Sequence, residues 1–150
     1  MEKPPGAVLA FRARVRDFSL DWETIRFQHP GMEGIHMSRI FPDPISNLPE
    51  ANIPLKGAKA FLSQGSDHQI IFMEFTENVD LPEHSHESQW GVVLEGKIEL
   101  VIEGVKKTYT KGDRYLIPNG ASHSGKIHAG YADITFFNVK NRYKAKEDIK

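Results

Sequence analysis

The stretch "PEHSHESQWGVVLEG", residues 82–96, places two histidines either side of one residue, a glutamine three positions later, and an apolar run that closes on a glycine. It reads either as a polar loop that happens to hold two histidines or as a metal site. In extended backbone His84 and His86 point to the same face, so two imidazoles converge. Gln89 lies an odd number of steps further on, and a bend or bulge near Glu87–Ser88 is needed to bring it to that face. A third imidazole, His123, follows "GDRYLIPNGAS" (112–122), where Pro118 and Gly120 form a turn able to aim it into the same pocket.

Outward from this stretch the hydrophobic pattern has period two. "KIELVI" puts Ile98, Leu100 and Ile102 on one face and Lys97 and Glu99 on the other, the alternation of a half-buried strand. "EG" at 103–104 joins it to "VKKTYT", and "KGD" at 111–113 joins that to "RYLI". "AKAFL" and "HQIIFMEFT" upstream and "YADITFFNV" downstream are rich in aromatic and β-branched residues and also read as strands. Prolines at 30, 42, 44, 49 and 54 break residues 30–54 into irregular pieces, and no long amphipathic helix is evident apart from a poor stripe in the last ten residues. Short strands at such spacing imply a β-sandwich or barrel. Residues 1–150 read as one domain: an N-terminal extension over 1–55, a barrel over 56–140 and a polar tail over 141–150.

Composition narrows the function classes. The 150 residues carry a formal net charge of -1 with no long run of one sign, so neither a nucleic-acid footprint nor a membrane-surface helix is indicated. The terminal "KNRYKAKEDIK" balances bases with acids and reads as a solvated end. With no cysteine, any metal must be held by histidine, carboxylate or amide ligands. The N-terminus is too charged for a signal peptide or membrane span, and the expected location is the cytoplasm.

The two motif regions resemble the cupins, small β-barrel proteins built around a mononuclear metal site. His84, His86, Gln89 and Gly96 match the first cupin motif, and Gly112, Pro118, Gly120 and His123 match the second without a gap. Asn78 stands where a glycine is usual, Ile127 where an asparagine often follows, and two residues rather than three or four separate His86 from Gln89. The resemblance implies an all-β, cupin-type jelly-roll barrel with an N-terminal strand extension. It also implies a divalent transition metal (Fe, Mn, Zn or Ni) held by His84, His86, Gln89 and His123. Four neutral ligands leave the ion its full charge, which favours a small-molecule anionic or vicinally oxygenated ligand. The implied activity is that of a sugar-acid isomerase or lyase, or a dioxygenase. The alternative is a barrel that binds a ligand or metal without turnover, and a barrel with no metal leaves the double motif unexplained.

The catalytic residues are open, with Glu74, Tyr115 and His128 as candidate bases. Tyr115, Phe72, Met73, Phe136 and Phe137 are candidates for the barrel mouth, and Trp90 for core or pocket wall. His29, His36, His68 and His128 read as surface or hydrogen-bonded histidines. Apolar pieces such as "TIRF" and "GIHMSRIF" need burial, which points to a homodimer whose N-terminal strands extend or cap the neighbouring sheet.

Overall fold

The computed structural model describes residues 40–148. "TIRF" therefore lies outside the described residues, as do His29, His36 and all but the last two residues of "GIHMSRIF". A four-residue helix, α1 (Asp43–Ser46), leads into β1 (Ala58–Gln64), β2 (Gln69–Phe75), β3 (Val79–His84), β4 (Gln89–Glu95) and β5 (Lys97–Ile102). Then follow β6 (Val105–Thr110), β7 (Arg114–Ile117), β8 (His123–Ile127) and β9 (Ala132–Phe137). The strands form two antiparallel sheets, β1-β2-β9-β4-β7 and β3-β8-β5-β6. The fold is the all-β jelly-roll barrel, with the core between the sheets. Among the described residues no helix is long and apolar enough to cross a membrane.

Strict alternation builds this core. Gln69, Ile71, Met73 and Phe75 of β2 are buried while Ile70, Phe72 and Glu74 between them are not. Across the register β9 turns Asp133, Thr135 and Phe137 inward, and the opposite sheet contributes Ile98, Leu100 and Ile127. Each large apolar side chain so buried contributes about 1.5–3 kcal/mol. Gly96, Gly112 and Gly120 sit at φ 69, 89 and 73, left-handed conformations that turn the chain between strands.

The same alternation corrects three expectations. Phe72 and Phe136 do not reach the barrel mouth, because their neighbours Met73 and Phe137 take the inward positions. Phe72 meets the ring of buried Phe41 edge-on on the outer face, and Phe136 stacks on His68 there. Trp90 is neither core nor pocket wall: it is 42% exposed on that outer face, opposite Leu116, which is 56% exposed.

Two strands escaped the sequence pattern. β3, "VDLPEH", alternates only at Val79 and Leu81 before Pro82 interrupts it, and β8, "HSGKI", has no apolar alternation. Pro82 is tolerated because β3 is an edge strand, and its pairing with β8 shifts register between Leu81 and His84. Nor is the C-terminal run merely solvated. Ala145 bridges to Ala51, and buried Gln69 holds both backbone groups of Tyr143, donating from Nε2 to its carbonyl (2.8 Å) and accepting from its N–H at Oε1 (2.9 Å). Among the described residues, helical structure there amounts to a 3₁₀ turn, Lys146–Asp148.

Candidate metal centre

β3 ends at His84, the following loop carries His86, β4 begins at Gln89 and β8 begins at His123. His84 and His123 are cross-strand partners, and the Gly120 N–H donates to the His86 carbonyl (2.8 Å), tying the two motif loops together. The chain bends at Glu87, and Gln89 lines the same cavity as the three histidines.

Backbone carbonyls orient all three rings. Nδ1 of His84 bonds the Pro82 carbonyl (2.7 Å), Nδ1 of His86 that of Glu87 (2.6 Å), and Nδ1 of His123 that of Ala121 (2.8 Å). A carbonyl only accepts, so each Nδ1 carries the proton and each Nε2 presents a lone pair. One ligand atom from each ring falls within 4.8 Å of the others, and the Nε2 atoms of His86 and His123 stand 3.0 Å apart. Lone pairs facing each other repel, and a cation between them removes the repulsion. The spacing suits two ligands each about 2.0–2.1 Å from one ion. The three histidines therefore fit a divalent transition metal. Burial lowers the pKa of His86 and of His123, helped by the positive charge of Arg142 and opposed by the backbone carbonyl bonds, so both favour the neutral form that binds metal.

The cavity measures about 560 Å³, within the range of small-molecule sites. A buried carboxyl sits in its wall. Asp133, 1% exposed, accepts at Oδ2 from the Tyr115 hydroxyl (2.9 Å) and the Tyr131 hydroxyl (2.7 Å). Gln89 donates from Nε2 to the Tyr115 oxygen (3.2 Å). Burial pushes Asp133 up to about 7 against the pull of these hydroxyl bonds, and burial with the Asp133 charge holds Tyr115 and Tyr131 well above the usual phenol range. Arg142 also lines the cavity, its guanidinium carbon 5.8 Å from the Phe137 ring centre and 5.3 Å from that of Tyr143. Among the described residues its Nε has no hydrogen-bond partner and no carboxylate pairs with it.

Of the candidate bases only Tyr115 is in the cavity. Glu74 occupies an outward position between Met73 and Phe75, both of which line the cavity. His128 bonds Glu99 through Nε2 (2.8 Å), and Lys106 and then His128 hold that carboxyl down at about 2. His68 bonds Asp67 (2.9 Å), a surface pairing of the kind expected. Met73 and Phe137 meet the cavity as anticipated. Asp133 and Arg142 were not anticipated. The period-two pattern of "YADITFF" puts Asp133 on the same face as Tyr131 and Phe137, a signal available in the sequence, whereas nothing local distinguishes Arg142 from its charged neighbours.

A family model described as "Cupin domain" matches residues 71–139, just under half of the chain. No curated protein matches by sequence. Among solved structures, KdgF from Halomonas sp. is similar with 20% identity and a TM-score of 0.53, over 61% of this chain and 87% of that one. An RmlC-like cupin from Shewanella frigidimarina is 24% identical with a TM-score of 0.54, over 69% of this chain and 91% of its own. The S161A mutant of Bacillus subtilis oxalate decarboxylase gives 18% and 0.55, over 70% of this chain but 32% of that chain. At these identities the likeness is one of fold.

Proposed function

Residues 71–139 form a cupin domain, and from that premise we propose that the protein is a metal-dependent enzyme acting on a small oxygenated anion. The reaction is a sugar-acid isomerisation or lyase step, or a dioxygenation. The observation that carries this reading is the convergence of three imidazoles, one ligand atom from each within 4.8 Å of the others, in a cavity whose wall also holds Arg142, a cation that no carboxylate pairs with among the described residues. His84, His86 and His123, with Gln89 as fourth ligand, hold Fe, Mn, Zn or Ni. Such an ion, its charge undiminished by carboxylate ligands, supplies Lewis acidity to a carbonyl or a water. Arg142 draws the substrate carboxylate into the cavity, Met73 and Phe137 keep that end dry, and the Tyr115–Asp133–Tyr131 cluster holds protons on the wall.

Elemental analysis of the purified protein, followed by titration with hydroxycarboxylates and with uncharged sugars, tests the reading. A bound transition metal and selective anion binding, weakened about tenfold or more in Arg142→Ala with metal retained, are the expected results. Protein that takes up no transition metal rejects it. A non-catalytic binding or sensing barrel is the second reading, favoured by the engagement of both phenols with Asp133, which leaves no free base among them. Turnover in a substrate screen separates the two. The same proposal includes a cytoplasmic homodimer, for which the adjacent exposed Trp90 and Leu116 offer an apolar contact.

A further inference from the structure

We propose that Tyr115, anchored by Asp133, is a positioning residue that locks the Gln89 side chain with its nitrogen turned to the barrel wall and its oxygen left for the histidine cluster. The inference rests on the reading of Gln89 as a metal ligand and adds what sets that ligand's orientation.

A phenol has one proton to give. Tyr115 gives it to Asp133 Oδ2, the oxygen that also accepts from Tyr131, so towards Gln89 only the Tyr115 lone pairs remain. A lone pair needs a donor opposite, and the amide Nε2 is the atom found there. With the nitrogen committed, Oε1 is the free end of Gln89, without a hydrogen-bond partner among the described residues, on a side chain that lines the cavity of the three histidines. The reversed amide would set oxygen against oxygen. The phenol cannot easily move to accommodate it, because the Tyr115 ring lies directly over Gly91, its cross-strand partner. A Cβ at Gly91 would come 2.2 Å from Tyr115 Cζ and 2.5 Å from the hydroxyl oxygen.

The same argument accounts for an amide at position 89 in place of glutamate. A carboxylate there would face the phenol lone pairs. To donate to it, Tyr115 would have to withdraw its proton from Asp133, leaving that buried oxygen one donor short. The barrel is thus built to present a neutral oxygen donor, and the charge of the site is set by a residue two hydrogen bonds away.

The test has two arms. In metal-free ¹⁵N-labelled protein the Gln89 side-chain NH₂ signal, assigned by its loss in Gln89→Ala, should exchange slowly with solvent in the parent and much faster in Tyr115→Phe. The latter removes only the hydroxyl and should stay folded by circular dichroism. In Ni(II) titrations, Tyr115→Phe should weaken binding about tenfold in the parent and leave it unchanged when added to Gln89→Ala, since an outer partner acts through its ligand. Equal NH₂ exchange in parent and Tyr115→Phe overturns the lock. So does a Ni(II) affinity untouched by Tyr115→Phe, or one lowered equally in both backgrounds. If the parent binds no Ni(II), the metal reading fails by itself, and the exchange arm still decides whether Tyr115 orients the amide.

Discussion

His86 and His123 face each other through their Nε2 atoms at 3.0 Å, while the opposite nitrogen of each ring is bonded to a backbone carbonyl. The rings are thereby prepared as a pair of lone-pair donors to one cation.

A metal ion should therefore stabilise the fold as well as occupy the site. Chelation is expected to lower the melting temperature by several degrees, and saturating Ni(II) or Zn(II) to restore it. His84→Ala, His86→Ala and His123→Ala should each lose most bound metal by elemental analysis while keeping the β-sheet circular dichroism spectrum. Full occupancy in all three variants would remove these residues from the ligand set.

Gly91→Ala should be costly although it adds one methyl group. The new Cβ meets the Tyr115 ring at 2.2 Å, so the ring or the strand must shift. We expect a loss of about 1–3 kcal/mol in urea unfolding, together with weaker metal binding. An unfolding midpoint equal to that of the parent would show that the ring moves freely.

Asp133 gives a pH signature. Its folded-state pKa is raised from 3.8 to about 7, chiefly by burial. Between those values the folded protein holds a proton that the unfolded chain has released. Its contribution to stability is thus fully present below about pH 4 and is lost as pH rises through 7. His86 and His123, whose pKa values are lowered, act in the opposite sense as pH falls. The measurement is therefore the difference between parent and Asp133→Asn, in which the histidine effects cancel. Metal-free unfolding at pH 5 and pH 8 should show the parent losing on the order of 2–3 kcal/mol relative to the variant. Parallel curves would mean that Asp133 titrates as an ordinary carboxyl.

The outer face should govern assembly. Trp90 is paired in register with Leu116 on one side and Phe136 on the other. Light scattering is expected to report a dimer for the parent and a monomer at micromolar concentration for Leu116→Glu, since a charge in an apolar contact loses its hydration without a partner. A parent that is monomeric, or a variant that stays dimeric, places the contact elsewhere or removes it.

Strands whose signal is carried by their own residues were legible: β2, β5, β7 and β9 follow the period-two pattern, β6 was marked by the glycine turns on either side of it, and the histidine spacing singled out His84, His86 and His123. β3 and β8 were not: β3 is an edge strand whose alternation stops after Leu81 at Pro82, and β8, though paired on both sides by β3 and β5, carries Ile127 as its one aliphatic side chain. Trp90 was misplaced because a large aromatic fits an inner or an outer face equally well, and inner positions 89 and 91 went to a glutamine and a glycine.

What the chain determined by itself is what depends on nearest neighbours along it. That includes the alternation that makes strands, the glycine turns between them, and the short loops that bring His84 and His86 together. What only the tertiary structure decided is which distant groups meet those histidines. Pairing of β4 with both β7 and β9 places Gln89, Tyr115 and Asp133 in one hydrogen-bonded line. The anchoring of Tyr143 by Gln69 carries Arg142 to the cavity wall. A residue's partners across a sheet are set by register and by which face it takes, and neither is written in the residues beside it.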